Sequence, residues 1–211
     1  MLINTASQAI RPNLDKNTPL LVVFAIFLII WIFTLAGTTN VTNWMIENTL
    51  TFLFIGFLVI TYKTFRFSSL SYIFIAIYLS LHVYGSEYTY AENPFGFWLK
   101  DLFHFSRNHY DRIVHFSFGF MLAYPMRDYF MNKMKFPAWV SWTLPVEITI
   151  SFSCLYEIIE WVVADVFFPK EGDAYLGLQG DIWDSQKDMF MALCGALSIT
   201  MILLIVKKIR K

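Results

Sequence analysis

Charge is what this sequence has least of. Only 15% of its 211 residues are Asp, Glu, Lys or Arg, where a water-soluble domain of that size would carry about a quarter. Its net charge is +0, so no overall field draws it to nucleic acid. Cysteine is nearly absent as well. Cys154 and Cys194 both lie in apolar stretches and no Cys-x-x-Cys spacing occurs, which excludes a disulfide framework and leaves both as small buried apolar residues. There is no internal repeat, no low-complexity tract and no composition break that would mark a second domain. The first nineteen residues or so are polar, and no small-x-small cleavage site follows the first apolar run. They read as a tail before an uncleaved membrane helix, not as a secretory signal.

What the chain has instead is apolar length. Hydrophobic residues make up 57% of it, and several runs approach the ~20 residues that cross a bilayer. The pattern predicts an all-α polytopic membrane protein, a compact bundle of six transmembrane helices. The runs are Leu20 to Gly37, about Asn48 to Tyr62, about Ser68 to Gly85, Asp111 to about Met126, Pro137 or Pro145 to about Val166, and about Asp184 to Val206. Thr38 to Glu47 reads as a short polar loop. Between the third and fourth spans, Phe95, Trp98, Leu102 and Phe105 recur at helical spacing after Asn93-Pro94. That suggests a short amphipathic helix in the membrane interface, or a helix packed within the loop. The domain plan is a tail over residues 1–19, one membrane domain over 20–206 and a basic tail over 207–211.

Six spans sort the loops into two sets. The set holding both termini carries eleven of the sixteen Lys and Arg residues, from Arg11 and Lys16 through Lys63, Arg66, Arg127, Lys133 and Lys135 to the final four; the other set carries five. The positive-inside rule then puts both termini in the cytoplasm.

The same topology gathers ionisable residues near the outer surface. Asp111 and His115 share a face at the head of the fourth span. Glu157 and Glu160 stand near the end of the fifth, and Asp184 and Asp188 at the start of the sixth. Such groups inside membrane helices are costly, and they default to a paired or functional role. His115, Glu157 and Asp188 fall a turn or more inside, at ~1.5 Å of rise per residue. Glu147 lies nearer the opposite end and is given no role.

Three readings stay open. In the first, Asp111, His115, Asp184 and Asp188 ligate a divalent metal ion, with Glu157 or Glu160 as general base. Histidine with carboxylates suits Zn²⁺, Mn²⁺ or iron, and carboxylates alone suit Ca²⁺ or Mg²⁺. In the second, the acids form a structural network. Asp111 caps the fourth helix, Asp181 or Asp184 caps the sixth, and Arg107, Arg112 and Lys187 pair with them. In the third, they relay protons or cations, although no acidic ladder continues toward the cytoplasm and no inverted repeat is present. Supporting residues are His82, near the end of the third span, and the Gly177-Leu178-Gln179-Gly180-Asp181 turn. The turn would aim Gln179 and Asp181 into the pocket. His104 and His109 read as interfacial.

Residues 107–116 (RNHYDRIVHF), 156–161 (YEIIEW) and 177–189 (GLQGDIWDSQKDM) resemble the YjdF-type bacterial inner-membrane proteins. The resemblance covers roughly residues 80–200 and implies location and topology more than chemistry. More distantly, Asp111-Arg112 with His115-Phe116, a following Glu helix, and Asp184 or Asp188 with Gly195 are similar to VanZ-like proteins, which are linked to glycopeptide-antibiotic tolerance at the cell envelope. Glu160 stands where those have Gln. The expected function is action on, or binding of, a lipid-linked or small envelope molecule. The lipid bilayer is the expected partner.

Overall fold

A computed structural model describes residues 11–13, 16–167, 172 and 176–209. Within them are seven helices and no strand. They are α1 (Thr18–Gly37), α2 (Val41–Thr61), α3 (Ser69–Glu87), α4 (Pro94–Phe103), α5 (Tyr110–Asn132), α6 (Ala138–Phe167) and α7 (Asp184–Ile209). Among the described residues the regular structure is all helical, as the long apolar runs predict. Four helices, α1, α2, α3 and α7, are long and apolar enough to cross a membrane. α5 and α6 have the length, but they carry Asp111, Arg112, Arg127 and Asp128, and Glu147, Glu157, Glu160 and Asp165, respectively.

Most helix starts follow local chemistry. The Asn17 side chain accepts from Leu20 N, with Pro19 in the first turn of α1. Asn93 accepts from Phe95 N and Gly96 N, and Pro94 opens α4; proline there loses no helix hydrogen bond. Asn40 accepts from Asn43 N and starts α2, which corrects the expected loop over Thr38 to Glu47. Only three residues join α1 to α2, and Asn43, Trp44, Glu47 and Asn48 are buried helix positions. Asp111 does not cap α5, because His109 holds the cap position and no side chain closes it. Pro145 lies inside α6, which begins just after Pro137. The apolar residues expected on α4, Phe95, Trp98 and Leu102, are exposed, as is Phe105 just after the helix, although Phe95 also meets the Tyr110 ring and Phe105 the His109 ring edge-on.

α5 is the central helix. It packs on α3, α6 and, most extensively, α7. The α5–α7 seam is made of small residues. A Cβ on Gly119 would stand 1.9 Å from the Ala192 carbonyl oxygen, and one on Gly195 would stand 2.1 Å from that of Phe116. Nothing larger than hydrogen fits at either position, so the two backbones touch, as in small-residue seams of membrane helices. α1 and α2 pack against α3 on the other side. Trp31 donates to Asn48 at 2.8 Å and Asn48 to Ser86 at 2.9 Å, so the end of α1, the start of α2 and the end of α3 lie together. That end also carries the starts of α5 and α7.

The opposite end has its own polar centre. Buried Asp128 accepts from Ser68 N at 2.9 Å, Ser71 Oγ at 3.1 Å, Asn132 Nδ2 at 2.8 Å and Arg11 at 3.0 Å. Arg11 also donates to the Arg66 carbonyl and lies 4.2 Å from the Phe65 ring centroid. The expected polar tail is thus tied down at Arg11. The Cys154 and Cys194 thiols are both free.

Candidate polar site at the head of α5 and α7

Two layers of ionisable residues meet where α5 and α7 begin. The outer layer is a set of ion pairs. Arg107, in the loop before α5, grips Asp184 with both guanidinium arms at 2.5 and 2.8 Å. It also donates to the carbonyls of Leu178 and Gly177 at 3.2 and 3.3 Å. Arg112 donates to Asp181 at 2.6 Å and Asp184 at 3.0 Å, and Lys187 adds a contact of 2.6 Å to Asp181. Lys187 and then Arg112 hold the Asp181 carboxyl well below its usual range. His109, beside this layer, is made less basic, first by burial and then by the two arginines.

The turn before α7 completes this layer. Gly177, Gln179 and Gly180 have φ of 64, 48 and 82°, a left-handed path that glycine follows without strain. It brings the Gln179 amide onto the backbone of Asn108, accepting from its N–H at 2.9 Å and donating to its carbonyl at 3.0 Å. Gln179 and Asp181 turn toward Asn108, Arg107 and Arg112 at the head of α5.

The inner layer is acidic. Asp111, His115 and Asp188 each offer a ligand atom, and the three atoms lie within 4.8 Å of one another. His115 Nε2 is 3.5 Å from Asp111 Oδ1 and 3.3 Å from Glu157 Oε1. Its Nδ1 is 3.3 Å from Ser153 Oγ. With the Nδ1 proton on Ser153, the Nε2 lone pair faces the carboxylates. This is how a metal-ligating histidine is usually oriented. Asp188 is only 2% exposed, and its Oδ1 has no hydrogen-bond partner. The nearest cation, Arg112 Nε, is 3.9 Å away and is itself unpartnered. Asp184 is close by but already matched by two arginines.

Residues 19–209 match the family model described as "Predicted membrane protein (DUF2238)". The chain belongs to this family. It is also 32% identical over 180 residues to the inner membrane protein YjdF of Escherichia coli, a match covering 83% of this chain and 84% of that protein. No solved structure matches. Membership makes this a membrane protein of the YjdF kind, as the motifs around Asp111, Glu157 and Asp188 imply.

In this YjdF-family chain the polar residues continue past His115 into a third group, of which sequence reasoning named His82 and Glu160 but missed Glu47 and its tyrosine partners. Glu47 of α2 is buried and accepts from the Tyr156 hydroxyl at 2.9 Å. His82 sits with Nε2 3.3 Å from the Glu47 carbonyl and Nδ1 2.6 Å from the Tyr90 hydroxyl. It belongs to this group and not among the residues around Asp188. Tyr156 also stands edge-on to the His115 ring, with centroids 6.0 Å apart. Glu160 interacts with this same phenol, one turn beyond Glu157 on α6. The missed signal was Asn40: as a helix cap it places Glu47 on the second turn of a membrane helix and not in a loop.

Proposed function

We propose that this protein is a divalent-metal-dependent membrane protein acting on, or binding, a lipid-linked or small envelope molecule at its outer face. The observation that carries this reading is the buried oxygen of Asp188, unpartnered beside Asp111 and His115. A buried carboxylate whose nearest cation, Arg112 Nε, is 3.9 Å away and makes no hydrogen bond to it is poorly compensated, and a cation between the three residues would offset that cost. In this reading Asp111, His115 and Asp188 are the ligands. Asp184, matched by Arg107 and Arg112, holds α7 in register behind them. A bound cation would polarise an ester or phosphate and acidify a bound water. Glu157, 3.3 Å from His115 Nε2, would take a proton from that water. Glu160, turned toward Tyr156, is the weaker choice of base.

The reading includes a six-span topology with α5 and α6 as spans, both termini in the cytoplasm and the polar site facing outward. The distant VanZ likeness fits an envelope role of this kind. A second reading, structural, is favoured for part of the site by the matched ion pairs of Arg107, Arg112, Asp181 and Asp184.

Elemental analysis of detergent-purified protein beside H115A and D188N tests the proposal. It requires bound metal in the wild type and its loss in both variants. Metal-free wild-type protein that takes up ions or protons under a pH gradient in liposomes would replace it with transport. Variants that lose only thermal stability would replace it with the structural network.

A further inference from the structure

A cavity of about 420 Å³ runs beside the polar site, between α2, α3, α5 and α6. Asp111 and His115 line it at one end. From there it follows α5 past Leu122 to Met126, and its lining becomes apolar. His115 to Met126 spans about 16 Å of helix, close to the depth of one leaflet of a ~30 Å hydrocarbon core. The cavity also has a mouth. Leu53 of α2 and Leu155 and Ile159 of α6 line it and are exposed. Among the described residues α2 packs on α3, α6 packs on α5 and α7, and no extended seam joins α2 to α6. The Tyr156–Glu47 hydrogen bond ties the two helices together near the polar end.

We infer that this cavity seats one hydrocarbon chain of a membrane lipid, entering between α2 and α6, with its polar group at Asp111 and His115. The inference deepens the proposed function and rests on it for the headgroup end. The occupant follows from chemistry and size. A free water-soluble anion has no use for the apolar length. A partner helix, ~10–12 Å across, is too wide for such a volume. Its run along α5 from His115 to Met126 is about as long as the depth that one leaflet's chains occupy. Its open side lies between two helices read as membrane spans, and its polar end presents the groups that would hold a phosphate through a cation.

The test uses the full-length protein in lipid nanodiscs and a lysophosphatidic acid carrying a mid-chain diazirine. Cross-linked residues are mapped by peptide mass spectrometry, and metal content is measured on the same sample. The expected result is adducts on Phe118 and Leu122, reduced at least fivefold in L122W with metal content unchanged. L53W changes only an exposed residue at the mouth, so it folds as the wild type does, and it too should lower the yield. Adducts confined to bilayer-facing Val59 and Ile60, or yields unchanged in both variants, overturn the inference. Metal-free protein still labelled at Leu122 overturns the metal reading while supporting the chain site. Metal-loaded protein lacking those adducts overturns the chain site alone.

Discussion

Asp188 and Asp184 sit one helical turn apart, equally buried, and differ in what they touch. Asp184 is hydrogen-bonded to two arginines, whereas one oxygen of Asp188 has no hydrogen bond and only a 3.9 Å approach to Arg112. Opposite results of mutation follow. R107A should leave Asp184 as an insufficiently paired buried carboxylate and cost roughly 3–5 kcal/mol, read as a lowered unfolding midpoint, with metal binding largely kept in the protein that remains folded. D188N should lower bound metal at least tenfold with little loss of stability, because the one ion pair of Asp188, with Arg112 at 3.9 Å, is long and carries no hydrogen bond. Asp181 gives a pH signature. Its carboxyl is held below the ordinary value of 3.8 by Lys187 and Arg112. Its contribution is therefore complete above that value and disappears as pH falls through the lower, folded one. Unfolding midpoints of wild type and D181N should differ near neutrality and converge as the pH drops well below 4. A constant difference down to strong acid would contradict the ion-pair account.

At the scale of helices, the site depends on how closely α5 and α7 approach. Asp111 and His115 belong to one and Asp188 to the other, and Gly119 and Gly195 are where the two backbones touch. G119L should force the helices apart, cost at least the ~1–3 kcal/mol of an overpacked core, and reduce metal binding although no ligand is altered. Normal metal content in a folded G119L protein would show that the seam does not set the site. This is also the scale at which the sequence was most and least readable. Long apolar runs and the proline and asparagine signals at Asn93-Pro94 located the elements. The pairing of Asp111 with His115, and of Arg107 and Arg112 with later acids, followed from spacing and topology. Glu47 did not. Its run of polar residues looked like a loop because a helix buried by neighbouring helices can carry Asn, Thr and Glu on its inner face, and hydropathy alone does not separate the two. Nor did spacing distinguish Asp184 from Asp188, since only packing decides which of two acids a turn apart meets the arginines. Arg11 was likewise read as part of a tail, because its partner Asp128 is 117 positions away.

For the whole molecule, two polar centres occupy opposite ends of the bundle, one around Asp128 and one around Asp111, His115 and Asp188. The proposed orientation puts the first in the cytoplasm and the second outside. Single-cysteine variants, in a background lacking Cys154 and Cys194, test this in intact cells. A membrane-impermeant maleimide should label T39C directly and K135C only after permeabilisation; the reverse pattern would turn the site to the cytoplasm. The proposed chemistry of the site turns on one cation. Anomalous diffraction from protein crystallised with Mn²⁺ or Zn²⁺ would decide it. A single peak about 2.0–2.2 Å from Asp111, His115 and Asp188 is the predicted result. An empty map there, with Asp188 drawn onto Arg112 instead, would contradict it.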